Sequence, residues 1–249
     1  MTAIFKREFK AYFNTPVGYI VLAAFYFFLG LYFYVYFSNG SPAVSEVIIQ
    51  TATVAVFAMP IITMRLMSED RRQKVDQALI TAPVKLSHIV LGKFFAAFSV
   101  FALCYAPTVI FEIIVATKVS VNILSYIYAL LGILLLGGAL IAIGMFISCL
   151  TESPALSAIL TLVINILVLY MSNFASMVSV PEGATNIFGK AWEKIVAGFA
   201  LFLEKAGFIT AVQNFAENVF SVSDIVYFVS IIAIFVFLSV RSLEKRRWS

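Results

Sequence analysis

The sequence is poor in charge and in the residue types that most enzyme sites use. Only 12% of its 249 residues are charged, against about 25% in soluble domains. His88 is the single histidine, which excludes metal sites built on clustered histidines. Neither Gly–Lys pair, at 92–93 or 189–190, has the following Ser/Thr or the earlier glycine of a Walker A loop. We therefore expect a non-enzyme with no catalytic residue, no metal site and no cofactor bound by this chain.

Cysteine is also scarce. Cys104 and Cys149 both lie inside apolar runs, so we interpret them as small packed side chains, not as a disulfide framework. The first apolar run is too long for a signal peptide and no cleavage-type site follows it. We expect that run to remain in the mature protein.

Long, continuous apolar runs dominate what is present, and 62% of the residues are hydrophobic. In lipid every backbone polar group needs an internal partner, so such runs predict an all-α polytopic membrane protein. We expect one transmembrane domain over 1–249, with a kink at Pro60 and an interruption at Pro107. The six predicted spans are, roughly, 17–37, 45–67, 88–116, 122–149, 155–178 and 223–240.

The first sixteen residues predict an interfacial helix. Aromatic and aliphatic side chains recur at helical spacing over 2–13, with Lys6, Arg7 and Lys10 between them. That pattern places rings among acyl chains and cations near anionic lipid headgroups. Thr15 before Pro16 is typical of a new helix start.

The segment 179–222 is too interrupted by charge to span and too apolar to be solvated. We expect an extracytoplasmic segment with one or two re-entrant helices between spans five and six. The alternative is an additional span, which would move the C-terminus to the other side.

The basic residues predict the orientation. With both termini and the 68–86 loop on one side, that side holds 13 of the 17 Lys and Arg. The positive-inside rule makes it cytoplasmic, and six spans satisfy the shared side of the two ends. The four that fall opposite are Lys118, Lys190, Lys194 and Lys205.

The stretch 64–86 predicts a cytoplasmic elbow. A polar span exit is followed by a short amphipathic helix and by Thr81-Ala82-Pro83. Leu79 and Ile80 would form an apolar tip that can dock into a soluble partner. From spacing alone, a solvated charged loop is the competing interpretation.

These residues resemble the coupling segment of type-2 ABC transporter permeases. That segment commonly reads Pro-x-x-Thr-Met-Arg, an acidic pair, then Thr-x-Glu-Leu-Leu-x-Thr-Ala-Pro-Val. This sequence has PIITMRLMSED at 60–70, VDQALITAPV at 75–84 and LGKFFAA at 91–97. Val75 and Gln77 depart from the usual Thr and Glu. The two ends, 6–20 and 223–248, more particularly resemble GldF-like (gliding-motility-type) permease subunits.

The resemblance implies a permease subunit of an ATP-driven exporter in the bacterial cytoplasmic membrane. Its partners would be a separate ABC ATPase holding ATP-Mg, a second permease subunit and, in the GldF-like subgroup, a protein with an extracytoplasmic domain. No nucleic acid is expected. The residues that match ATPase-coupling positions are Glu69, Asp70, Arg71, Arg72, Leu79 and Glu152. For Glu152, a helix-cap neighbour at the headgroup level is an equal alternative.

Three features inside the spans have competing interpretations. Glu112 is either a gate or substrate contact, or a carboxylate that snorkels toward Lys118. Asn165 suits an interhelical hydrogen bond. The glycines of span four suit close packing and could serve a dimer interface.

Two other classes of function compete with an ABC permease. A secondary transporter or channel needs intramembrane ion ligands, for which Glu112 is thin support. A membrane anchor for another complex predicts that changes in the elbow affect assembly alone.

Overall fold

The computed structural model describes residues 1–41, 43–72, 85–119, 122–173 and 221–247, together with isolated residues between 196 and 215. Throughout these residues the secondary structure is helical. The helices are α1 (Thr2–Asn14), α2 (Pro16–Ser38), α3 (Val44–Gln50), α4 (Ala52–Thr63), α5 (Ser68–Arg72), α6 (Leu86–Cys104), α7 (Ala106–Ala116), α8 (Ile123–Leu150), α9 (Pro154–Leu169) and α10 (Val222–Arg247).

Five segments of the described chain are long and apolar enough to cross a membrane. They are Pro16–Ser38, Ala52–Arg72, Leu86–Ala116, Ile123–Leu150 and Val222–Arg246. The chain is thus a polytopic helical membrane protein, as its composition predicts.

The predicted fifth span begins as α9, which has 16 residues, whereas a spanning helix needs about 20. Residues 174–178 lie outside the described residues. The count of six spans therefore stays a prediction. So does the re-entrant segment 179–222, which lies almost entirely outside them.

Helix α8 is the axis of the bundle. It packs against α3, α4, α6, α9 and α10, and 72% of its most apolar window is buried, against 17% for α2 and 11% for α10. Its glycines allow this close approach. A Cβ on Gly137 would lie 1.8 Å from the Phe101 ring. The glycine face is therefore occupied by the chain's own side chains, and the hypothesis that it forms a dimer interface is not supported.

Two spans are each divided into two helices, and side chains form hydrogen bonds at both interruptions. As predicted, Pro107 interrupts span three, whose helices end at Cys104 and restart at Ala106. Proline has no N–H to bond the Leu103 carbonyl, and the Tyr26 hydroxyl donates to that carbonyl at 3.1 Å instead. Span two breaks at Thr51, while α4 continues through Pro60.

The two breaks contact each other through side chains. The Thr51 and Tyr105 hydroxyl oxygens lie 3.0 Å apart, and Thr51 also donates to the Ile48 carbonyl. Thr108 donates to the Tyr105 carbonyl and lies 3.1 Å from the Tyr126 hydroxyl. These buried hydroxyls therefore satisfy backbone and side-chain groups where the helices stop.

Helix α1 forms where the sequence predicts a helix, and its placement at the membrane interface stays a prediction. Phe5, Phe9 and Phe13 form a ladder of ring contacts along one side. Thr15 adopts an extended conformation and Pro16 is the first residue of α2, the helix start that the sequence predicts. Gly92 of α6 lies against Ile4, so α1 packs on the third span.

Candidate functional site

The short helix α5 lies where the second span ends, and its beginning is fixed by α8. The Ser148 hydroxyl of α8 accepts hydrogen bonds from the Met67 and Ser68 backbone N–H groups, at 3.1 and 3.0 Å. N–H groups at the start of a helix lack intrahelical partners, and Ser148 supplies one from another span. The backbone of α5 is therefore held to the central helix.

A fully buried lysine, Lys93, connects α5 with α1 and α6. Lys93 of α6 is 1% exposed. Its Nζ lies 2.7 Å from an Asp70 carboxylate oxygen and 3.2 Å from one of Glu8, and donates to the Leu66 carbonyl at 2.5 Å. A buried ammonium is stable when it is both paired and hydrogen-bonded. Lys93 thus ties α5 to α1 and α6.

A second ion pair lies on the other side of α5. Arg65 pairs with Glu69 through two hydrogen bonds, of 2.5 and 2.8 Å. Its remaining nitrogen donates to the Thr15 hydroxyl at 3.2 Å, so the guanidinium also reaches the junction of α1 and α2. Between α1 and this pair lies a cleft of about 340 Å³ with a charged lining.

The third contact of α5 reaches the turn between α8 and α9. An Arg71 guanidinium nitrogen lies 2.7 Å from a Glu152 carboxylate oxygen, and another donates to the Leu150 carbonyl at 3.3 Å. Arg246 of α10 donates to the neighbouring Cys149 carbonyl. The C-terminal end of α8 is therefore bound by basic side chains from α5 and α10.

Helix α1 is also anchored to the end of α4. The buried Tyr12 hydroxyl donates to the Ile62 carbonyl at 2.8 Å. Burial, with a smaller contribution from the Glu8 charge, raises the pKa of this phenol. Tyr12 therefore stays a donor at physiological pH. Arg7 pairs with Glu8 and lies 3.9 Å from Asp70, and the hydrogen bond to Glu8 raises the pKa of the Arg7 guanidinium.

We call this set of ionic contacts the α5 charge cluster. Its members are Arg7, Glu8, Arg65, Glu69, Asp70, Arg71, Lys93 and Glu152. Each of three successive side chains of α5 has a different partner: Glu69 contacts Arg65, Asp70 contacts Lys93, and Arg71 contacts Glu152. A displacement of α5 would therefore act on α1, α6 and the α8–α9 turn together.

The structure brings most of the predicted coupling residues together. Glu69, Asp70, Arg71 and Glu152 all belong to the cluster, and Arg72 is exposed at the end of α5. Leu79 lies outside the described residues. Whether any of them contacts an ATPase stays a prediction.

Sequence reasoning missed Glu8 and the role of Lys93. Lys93 is one charge inside an otherwise apolar run, LSHIVLGKFFAAF. A lone intramembrane lysine requires a counter-ion, and that requirement was the available signal. The partner could not be found in the same way, because Glu8 is one of several charges on α1.

Glu112 is partly exposed on α7. Among the described residues it forms no ion pair, and the predicted approach to Lys118 is not made. Its role as a gate or substrate contact stays a prediction.

Asn165 differs from its prediction. It is fully buried on α9, yet neither end of its amide has a hydrogen-bond partner in the part of the chain that the structure describes. The expected interhelical hydrogen bond is therefore not formed.

The fold and the α5 charge cluster define a multi-pass membrane protein with a cluster of ionic contacts at one end of the bundle. Residues 34–190, more than half of the chain, match the family model described as ABC-2 family transporter protein. The chain belongs to this family, and it is a membrane permease subunit of an ABC transporter, the transmembrane component and not the ATPase. No curated protein matches the sequence significantly.

Proposed function

We propose that this permease subunit is driven by a separate ATPase that acts on it through α5. The observation that carries the proposal is the α5 charge cluster: Asp70 contacts Lys93 of α6 and Arg71 contacts Glu152 in the α8–α9 turn. Beside them, Glu69 is held by Arg65 at the end of the second span. A helix held in this way transmits force applied to the segment that follows it. A solvated loop would lack these connections.

We further propose that α5 and both termini are cytoplasmic. The α1 helix, α5 and the end of α10 meet at one end of the bundle, through Lys93 and Arg246. That end carries most of the basic residues, as the positive-inside rule requires of a cytoplasmic face. The membrane would be the bacterial cytoplasmic membrane, with export as the direction, both following the resemblance to type-2 permeases.

The ABC-2 family implies an ATPase partner and usually a dimeric arrangement. We propose that this chain pairs with a second permease subunit and that ATP-Mg binds only to the ATPase. A GldF-like assembly with an extracytoplasmic partner is the narrower form of the proposal.

The proposal is tested by reconstituting the chain with its ATPase in lipid nanodiscs. We expect the chain alone to hydrolyse no ATP and the complex to hydrolyse it faster than the ATPase alone. Arg72→Glu, a change on the exposed end of α5, should lower this stimulation. The matched control is Lys118→Glu, an exposed lysine that the proposed orientation places on the opposite side.

Equal stimulation in the Arg72→Glu and Lys118→Glu complexes would contradict docking at α5. Substrate flux driven by a proton or sodium gradient without ATP would favour a secondary transporter instead.

A further inference from the structure

Helix α9 carries three polar side chains on one face. Ser157, Thr161 and Asn165 are spaced by four residues, so they lie in a row along the helix. All three are 0% exposed, and α9 packs against α4 and α8. We call these residues the α9 polar row and the contact that covers them the α4–α9 seam.

The row has no hydrogen-bond partners among the described residues. This holds for the Ser157 and Thr161 hydroxyl oxygens and for both the oxygen and the nitrogen of the Asn165 amide. Hydroxyls on other spans behave differently. Thr63, Ser99 and Ser239 each donate to the carbonyl four residues earlier in their own helix. The row thus differs from these three hydroxyls, and it holds four of the six buried side-chain polar atoms that lack a hydrogen-bond partner among the described residues.

The seam is closely packed where the row crosses it. At Gly144 of α8, an added Cβ would lie 2.4 Å from the Thr63 hydroxyl oxygen of α4 and 2.9 Å from the Thr161 methyl of α9. Three helices therefore meet at a position where only glycine fits. Polar groups enclosed in this way, inside a low-dielectric environment, raise the free energy of the packed state.

We propose that the α4–α9 seam opens during the transport cycle and that the polar row then faces a hydrated space. In the open state, four buried polar atoms that lack partners among the described residues would form hydrogen bonds with water. The row therefore favours the open state over the packed one. Two hydroxyls and one amide carry no charge, which suits uncharged hydrogen-bonding groups of a transported molecule. The inference rests on the proposed function only for the timing of the opening.

The contacts of α5 offer a route for this opening. Arg71 pairs with Glu152, and α9 begins two residues later at Pro154. A movement of α5 that displaces Glu152 would therefore also displace the start of α9, the helix that carries the row.

A pair of isosteric changes tests the inference. Thr161→Val and Thr63→Val each replace a buried hydroxyl at the seam by a methyl, but only Thr63 has a hydrogen-bond acceptor. We expect Thr161→Val to raise the melting temperature of the purified chain, by roughly 2–4 °C, and to slow ATP-driven turnover several-fold. Thr63→Val should leave the melting temperature unchanged or lower it. A Thr161→Val chain that melts no higher than wild type would overturn the inference.

Labelling tests the opening itself. Thr161→Cys is placed in a Cys104→Ala/Cys149→Ala chain, assembled with the ATPase and exposed to a membrane-impermeant maleimide. We expect labelling in one nucleotide state, with ATP and vanadate or without nucleotide, and protection in the other. Leu160→Cys, which faces away from the seam and is 40% exposed in the bundle, is the lipid-facing control and should remain unlabelled in both.

Protection of Thr161→Cys in both states would overturn the opening. The outcome is separable from a failure of the proposed function. If α5 does not couple to the ATPase, Arg72→Glu has no effect, but Thr161→Val still raises the melting temperature. If only the seam is wrong, Arg72→Glu lowers ATPase stimulation while Thr161→Val brings no stabilisation.

Discussion

The α5 charge cluster and the α9 polar row bury polar groups in opposite ways. Lys93 is enclosed with two carboxylates and a carbonyl oxygen around its ammonium. Asn165 is enclosed just as fully but has no partner in the described chain. Burying a polar group costs free energy unless a hydrogen bond compensates. The cluster therefore stabilises the packed arrangement of the helices. The row destabilises that arrangement and favours one in which the α4–α9 seam is open.

The comparison predicts opposite effects on stability when polar groups are replaced by apolar ones. Such changes should lower the stability of the chain in the α5 charge cluster and raise it in the α9 polar row. Loss of a partner in the cluster leaves a buried charge uncompensated. Loss of polarity in the row removes a group that was already uncompensated. The predictions below run from the largest expected effect on stability to the smallest.

Lys93→Met should give the largest effect. It leaves Glu8 and Asp70 with Arg7, whose side chain is 48% exposed, as their remaining shared cation. Breaking a buried pair costs at most about 3–5 kcal/mol. Thermal unfolding of the purified chain measures the loss. Lys6→Met, on the exposed side of α1, is the matched control and should change little. Equal stability of the two variants would show that Lys93 is not the buried centre of the cluster.

Gly144→Ala should act where the two regions meet on α8. The added methyl would overlap Thr63 and Thr161, and overpacking of this kind costs about 1–3 kcal/mol. It should also hold the α4–α9 seam apart, so that Thr161→Cys becomes labelled in the nucleotide state in which it is otherwise protected. Gly30→Ala is the control, since nothing lies within 4 Å of its added Cβ. Unchanged stability and unchanged labelling would place the close contact elsewhere.

Tyr105→Phe removes a buried hydroxyl that has a partner. It deletes the 3.0 Å contact with Thr51 that joins the two helix breaks and should cost about 0.5–1.5 kcal/mol. The loss should depend on the partner, so that Thr51→Val and the double variant together show coupling in a double-mutant cycle. Additive effects would mean that the two hydroxyls do not act as a pair.

Arg71→Glu should have the smallest effect on stability. Glu152 is 73% exposed in its side chain, and exposed ion pairs contribute less than about 1 kcal/mol. The melting temperature of Arg71→Glu should therefore stay close to that of the wild-type chain. A loss as large as that of Lys93→Met would make Arg71 a structural residue instead of a coupling residue.

The general architecture could be predicted because lipid imposes it. Apolar run length gave the main spans, and Thr15-Pro16 and Pro107 placed two helix boundaries, since proline lacks a backbone donor. The break at Thr51 could not be predicted in the same way. The Thr51 hydroxyl at this break lies against the Tyr105 hydroxyl, 54 positions away in the sequence, and no local pattern indicates that contact.

The site was partly predictable for the same reason. The charged side chains of α5 are visible in the sequence, but their partners are set by packing. Lys93 and Glu8 come from two other helices, and nothing local to α5 indicates them. Asn165 was predicted to form an interhelical bond because polar residues in spans usually do, and only the packing against α4 and α8 shows that it does not.

The most direct test of the account is a charge swap across the link from α5 to the α8–α9 turn. Arg71→Glu, Glu152→Arg and the double variant are each assembled with the ATPase in nanodiscs, and the stimulation of ATP hydrolysis is measured. If α5 transmits force through this pair, both single variants lose most of the stimulation and the double variant recovers most of it. Full stimulation in the single variants, or a double variant as inactive as they are, would contradict coupling through α5.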